Sequence, residues 1–352
     1  MFKQTLYYYK VVIFVFLNLL KVEIKKSIPL PLSKKIQLWR KGFFSKSYAL
    51  YQFDKTDMSE YISDWQEAFN CKFIYKGTIY IDNKILFPQM VKPFVPMTEE
   101  PFLIMEGKLV PIGEKRKATS LVELLTEIET FGPKIFKPVD GASGDGIVKI
   151  SFENGIWIIN QKKATQNECL SLLQSLTNYL VSDFIVQGDY SNKIYPKSVN
   201  TVRILTMIDP ETGKSFIAAA AQRIGNDQSF PVDNCAAGGF TAGIDIETGK
   251  LGKATSTKLQ ENKLVWFTNH PDTHSPIEGV FIPDWNNLKN SVLAIAQSLF
   301  FIPYIGWDIV VTDDGFTIIE ANEGPDLKLH QVHSPLLKSE SVKRFYKHYK
   351  VI

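Results

Sequence analysis

The sequence predicts an α+β protein built from two strand-rich halves that face each other, and three observations lead there. Residues 134–187 read as strand, glycine loop, strand, strand, helix and strand. Residues 200–246 hold the long strands NTVRILTMID, SFIAAAAQRIG and AGIDI. The chain then reaches a hairpin, GWDIVVTDDGFTIIEAN. Its 352 residues, 45% of them hydrophobic, suffice for two or three subdomains around a sizeable core and exclude a disordered chain. No internal repeat and no low-complexity tract interrupts them.

Residues 1–46 form a basic arm. They hold ten lysines and arginines against one acid, Glu23, a charge of +9 in a chain whose total is +3. Inside lies VVIFVFLNLL, an apolar run about half of the roughly 20 residues a membrane-spanning helix needs, with no small-residue cleavage site behind it. Two readings stay open: an arm on an anionic membrane face, or a helix docked on the protein's own core with solvated lysines. Nucleic-acid binding is not indicated, because no nucleic-acid motif interleaves the charge. Cys71, Cys169 and Cys235 are unpaired in spacing, which suggests a reducing compartment and neither a disulfide framework nor a zinc site.

Pro29 and Pro31 forbid helix as the arm turns into LSKKIQLWRKGFF. Residues 47–115 read as a small α/β lobe with strand-like pieces KFIYKGTIYI and FLIMEGKLVPI. A helix over TSLVELLTEIETF places Leu121, Leu124, Leu125 and Ile128 on one face, with Ser120 and Glu123 as a capping box. Further helices are expected over ECLSLLQSLTNYL and NLKNSVLAIAQSLFF, the latter burying Leu288, Val292, Ile295 and Leu299. Residues 116–352 thus divide into a flap half, about 133–187, and a larger half, about 188–335. A cleft between them is the expected ligand site.

Two stretches carry chemistry. In KIFKPVDGASGDGI the lysine precedes the glycines and a strand follows them, so the loop is not the P-loop pattern but a flap between two strands that can close over a nucleotide. In the last hairpin, TDDGF suits a three-residue loop, Asp313-Asp314-Gly315, that sets Asp308 opposite Glu320 with Asn322 two residues along the same face. A two-residue loop would send Glu320 to the other side. Two carboxylates side by side among apolar residues need a proton or cation between them, and an oxygen-only set suits Mg²⁺. The bland alternative is a solvated acidic hairpin edge.

Taken together, DNK, KPVDGASGDG, YPKSVNTVRILT, RIGNDQSFPVDNCAAGGFTAGID, HPDTHSPIEG and IGWDIVVTDDGFTIIEANEGPD resemble, in order and spacing, the ATP-grasp superfamily. The nearest likeness is to the sugar-transfer-associated ATP-grasp proteins of bacterial polysaccharide gene clusters, from WRKGFF to HQVHSPLL. The resemblance implies an ATP-grasp fold whose two α+β subdomains clasp ATP. It makes Lys137 a phosphate lysine, with Gly141, Ser143, Gly144 and Gly146 in the closing flap. Lys84 is implied as the second phosphate lysine, with Lys115 or Lys117 as alternatives. Ile185, Val186, Gln187 and Asp189 fall in the hinge that lines adenine, although related enzymes often carry an acid near Gln187 or Gly188. Asp308, Glu320 and Asn322 match the metal ligands, for two Mg²⁺ ions. Arg203 and Arg223 fall where relatives place cations toward the γ-phosphate and the substrate carboxylate. Asn234, Gly238 and Gly239 match a loop that shapes the site. The five histidines have no convincing ligand constellation.

The same resemblance implies a carboxylate–amine ligase that forms an amide through an acyl phosphate. Its substrates would be a small or lipid-linked sugar and an amino acid or other amine, in capsule or O-antigen synthesis, in the cytoplasm or on the inner membrane face. An ATP-dependent phosphotransferase and a non-catalytic nucleotide-binding scaffold are the alternatives.

Overall fold

The computed structural model describes residues 2–74, 79–95, 97, 102–112, 118–139 and 146–352, with side chains for all of these except 2–9, 26 and 79. The arm is helical: α1 (Phe2–Lys26), α2 (Leu32–Arg40) and α3 (Ser45–Leu50). Residues 27–31 stay out of helix, as two prolines require, and Pro31 caps α2 at a φ of −54°. Glu23 turns inward and accepts from the Ser45 backbone N–H at 3.0 Å and its hydroxyl at 2.9 Å.

Next come α4 (Asp64–Ala68), α5 (Ile79–Asp82) and α6 (Leu86–Val91). The expected strand KFIYKGTIYI is instead a 3₁₀ turn, Asn70–Phe73, and the short helix α5, with 75–78 outside the described residues. Ile74 is buried with Leu205, Tyr304 and Phe345, whereas Ile81 joins Phe87 and Trp307 in another cluster. Anchoring to two cores overrides the strand propensity of the run.

The first sheet contains β1 (Phe102–Met105), β2 (Lys108–Pro111), β3 (Lys134–Pro138), β4 (Val148–Glu153), β5 (Ile156–Ile159), β6 (Lys162–Ala164) and β7 (Tyr179–Asp183). Its order is β2-β1-β7-β3-β4-β5-β6, antiparallel throughout. The β1–β2 hairpin, expected in a separate lobe over 47–115, is therefore the edge of this sheet, with Phe102 opposite Val181. Helices α7 (Leu121–Phe131) and α8 (Gln166–Ser175) cover one face, and Leu124, Leu125 and Ile128 pack with Phe136, Ile150 and Val181. Ser120 caps α7 by accepting from the Glu123 N–H at 3.2 Å, while the Glu123 carboxylate accepts from the Thr119 N–H at 2.7 Å, so the expected box closes one residue early. α8 stops at Ser175 and not at Leu180, because Tyr179–Asp183 finds strand partners on both sides in β1 and β3.

After α9 (Asp189–Ile194) the second sheet contains β8 (Val202–Ile208), β9 (Ser215–Ile224), β10 (Phe240–Ile244), β11 (Leu251–Thr255), β12 (Trp266–Phe267), β13 (Tyr304–Thr312) and β14 (Gly315–Asn322). Its order is β12-β11-β10-β9-β8-β13-β14, again antiparallel. Helix α10 (Trp285–Ser298) buries Leu288, Val292 and Ile295 on it, with Leu299 just beyond, as its spacing predicts. Helices α11 (Lys328–Gln331) and α12 (Glu340–His348) close the opposite face, where Phe345 and Tyr346 meet Leu205, Met207 and Tyr304. Two sheets, the first covered by helices on one face and the second on both, give the α+β architecture expected, and the link from β7 to α9 joins them.

Candidate functional site

The last hairpin supplies the acids. Asp308 lies opposite Glu320, as expected, but by a different route. The turn has two residues, since Thr312 pairs with Gly315, and the register then shifts between Asp308 and Ile309, leaving Ile319 as an extra residue. That bulge returns Glu320 to the side the short turn would have taken it from. Asn322 donates from its amide to Asp308 Oδ2 at 3.3 Å and Glu320 Oε1 at 3.5 Å. The three expected oxygen ligands are thus together, and half a turn of the Asn322 amide would present its oxygen instead.

The strands beside the hairpin supply the cations. Arg203 pairs with Asp308 across β8 and β13, and its guanidinium grips both carboxylate oxygens, Nη2 at 2.8 Å from Oδ2 and Nε on Oδ1. Arg223, one strand further, donates to Asp308 Oδ2 at 3.2 Å and to Asp233 Oδ1 at 2.7 Å. Burial pushes the Asp308 carboxyl up, but the two guanidiniums outweigh it and hold the group below the usual carboxylate range. Burial opposes the charge of Arg223, yet Asp233 and Asp308 raise its pKa. Glu320 gains no such pairing: burial first, then the charge of Asp308, pushes its carboxyl up to about 7. A set of oxygen donors only, with the Asp308 carboxylate buried and Glu320 and Asn322 partly buried beside it, fits a hard divalent cation such as Mg²⁺.

A cavity of about 560 Å³ between the two sheets collects these groups. Lys137 reaches it from β3, and Phe184, Ile185, Val186 and Gln187 line it from the link. Lys84 donates to the Val139 carbonyl at 3.3 Å, at the root of the glycine loop. Gly141, Ser143 and Gly144, together with Lys115 and Lys117, lie outside the described residues. Gly146 ends the loop at φ +77°, where a Cβ would stand 3.0 Å from Pro138 Cγ. Gly238 and Gly239 form a tight turn near Asp233, with the Asn226 amide donating to the Gly238 carbonyl at 2.8 Å, and Asn234 caps that turn.

Two expectations for the hinge change. The Gln187 side chain is committed to neighbouring protein groups: its amide donates to Asn192, Tyr195 and Ser198, and its oxygen accepts from Ser191 and Asn200. The three contacts donated by its nitrogen need an amide, because a carboxylate has no hydrogen to give the Asn192, Tyr195 and Ser198 oxygens, which explains the departure from an acid here. Asp189 is not on the cavity wall among the described residues. It pairs with Lys193 at 2.5 Å, while its N–H donates to Asp313 at the hairpin tip.

Two groups escaped the sequence reading. Asp233 accepts from the Thr201 N–H at 2.8 Å and hydroxyl at 2.6 Å while holding Arg223. A buried strand arginine demands such a partner, and FPVDN offered it. Lys149, on β4 after the flap, lies 4.3 Å over the Phe184 ring in the cavity wall. His270 joins the Gly225 carbonyl at 2.8 Å and accepts from the Asp272 N–H at 3.1 Å.

Comparison with known proteins adds a family. Similar solved structures include VanG D-Ala:D-Ser ligase from Enterococcus faecalis, 9% identical over 81% of this chain and 64% of that one, with a TM-score of 0.41. D-alanyl-alanine synthetase A from Vibrio cholerae O1 biovar eltor is 11% identical over 77% and 61%, with a TM-score of 0.39. The ADP complex of an N5-carboxyaminoimidazole ribonucleotide synthetase is 11% identical over 69% and 45%, at 0.36. The chain therefore spans about half to two thirds of the length of these structures. No protein of curated function matches it. The family model described as sugar-transfer associated ATP-grasp matches residues 66–344, most of the sequence, and the chain belongs to that family.

Proposed function

We propose that this protein is an ATP-dependent carboxylate–amine ligase that makes an amide through an acyl phosphate, using Mg²⁺-ATP. One observation carries the reading: a single cavity brings Lys137, Arg203 and Arg223 to Asp308, Glu320 and Asn322 between two sheets. Phosphoryl transfer to a carboxylate needs positioning and charge more than covalent help. The cavity's composition matches that need. Among its described residues there is no histidine, and burial pushes the Cys235 thiol up to about 12, so no activated side-chain nucleophile stands there.

Each group has a part. Asp308, Glu320 and Asn322 would hold Mg²⁺, whose charge would offset that of the phosphates. Lys137 and Lys84 draw the phosphates toward the flap root, and Arg223, fixed by Asp233, faces the substrate carboxylate. Residues 184–187 wall the base with main chain and apolar side chains, since the Gln187 amide is committed elsewhere. The glycine flap excludes water from an acyl phosphate that would otherwise hydrolyse. The family description supports a carbohydrate substrate, either a sugar acid joined to an amino acid or other amine, or an amino sugar acylated by the carboxylate of an amino acid. ATP chemistry and three buried free cysteines fit a cytoplasmic setting.

The deciding measurement is ADP and free phosphate, followed in parallel with Mg²⁺-ATP, pooled amino acids and pooled uronic-acid and amino-sugar nucleotides. Equal release of both, requiring acid and amine together, is expected. ADP without phosphate would replace the ligase with a phosphotransferase.

A further inference from the structure

Helix α1 is docked by one side only. Val15, 3% exposed, and the inward Glu23 mark the docked side. On the other side Ile13, Leu17, Leu20 and Ile24 follow one another at the spacing of a continuous helical row. Ile13 is 57% exposed, Leu17 48% and Ile24 72%, with Leu20 partly exposed. Beside that row runs a second, Lys10, Phe14, Lys21 and Lys25, all exposed. The neighbouring body extends it, for the Lys72 ammonium lies 6.0 Å from the Phe14 ring and Phe73 is exposed next to it. Helix α2 repeats the arrangement, with Leu32, Ile36 and Trp39 exposed one turn apart and Arg40 and Lys41 exposed at its end.

A row of large apolar side chains left in water beside lysines calls for a partner that is apolar within and anionic at its surface. The charge decides which. The arm's only acid is turned inward, so a second copy docked on the same face would set lysines against lysines. The row also lies along a convex helix, and among the described residues no helix is long and apolar enough to cross a membrane.

We propose that the outer face of α1, with Lys72, Phe73 and the exposed row of α2, docks on an anionic lipid bilayer. The apolar rows enter the boundary between head groups and acyl chains while the lysines meet lipid phosphates. This surface is separate from the cavity and stands whether or not the ligase reading holds.

Co-sedimentation of the full chain with vesicles of equal parts phosphatidylglycerol and phosphatidylcholine, against vesicles of phosphatidylcholine alone, tests it. Binding to the mixed vesicles, weakened by salt, with little binding to the neutral ones, is expected. Replacing Lys10, Lys21 and Lys25 together by Gln should lower partitioning on the order of a hundredfold. Leu17→Glu with Ile24→Glu should do as much, and because all five side chains are on the outside the melting temperature should not move. Absence of binding to the mixed vesicles, equal binding to both kinds, or undiminished binding by the Gln variant would overturn the proposal. So would a dimer in sedimentation velocity that Leu17→Glu dissolves. If a variant fails to fold, the salt dependence of the unaltered chain still decides.

Discussion

Asp308 and Glu320 face each other but respond to pH in opposite directions. In an unfolded chain Glu320 would ionise near pH about 4.3, whereas in the folded protein it keeps its proton to about pH 7. Folding favours the proton, so this contribution to stability is fully present below the unfolded pKa and is lost as pH rises through about 7. Asp308 is held down, so its contribution is present above the unfolded pKa and is lost only as pH falls into strong acid. Thermal melts without Mg²⁺ should therefore show stability falling from about pH 5 to about pH 8. Glu320→Gln should flatten that slope, keep the fold and abolish turnover; a full slope or full activity in this variant would remove the assignment. The sequence put Asp308 and Glu320 on the two strands of one hairpin, but the three-residue turn expected to pair them is not the one that forms. Nor did the sequence reveal that two arginines would share one carboxylate, because Arg203 and Arg223 are 85 or more residues from Asp308 in sequence and meet it only through strand order.

At the scale of elements, the proposed chemistry rests on the hairpin and the flap. The pairing of Asp308 with Glu320 depends on the bulge at Ile319, which the alternation of the sequence does not announce. The flap returns to the sheet at Gly146, whose left-handed backbone and closeness to Pro138 make a side chain strained and tightly packed there. Gly146→Ala should cost on the order of 1 kcal/mol locally. It should slow turnover or raise the KM for ATP while the melting temperature moves by only a few degrees, which steady-state kinetics and a melt on one preparation would check. The absence of the strand expected at KFIYKGTIYI has a related cause: Ile74 and Ile81 serve two different cores.

At the scale of the whole molecule, the sheets meet where the link after β7 docks on the hairpin. The Gly188 N–H donates to the Val311 carbonyl at 2.8 Å, and Asp313 receives the Asp189 N–H at 2.7 Å. Nucleotide in the cavity would bridge both sheets and should stabilise them together. At a hundred times its Kd, Mg²⁺-ATP should add about 2.7 kcal/mol, read as a rise in melting temperature. Lys137→Ala should lose much of that rise and cost on the order of a hundredfold in rate. An undiminished rise would take Lys137 out of the phosphate site.

The sequence by itself determined the apolar faces of α7 and α10, the strands on either side of the glycine loop and the two strands of the last hairpin, while the face shared by Asp308 and Glu320 waited on the bulge at Ile319. These follow from local periodicity, capping and turn chemistry, which act over a few residues. Tertiary structure decided the rest: that β1 and β2 belong to the flap sheet, that Gln187 ties down backbone, that Asp233 anchors Arg223, and which side of α1 stays in water. Each of these depends on partners distant along the chain, and the burial that selects them exists only once the sheets have formed.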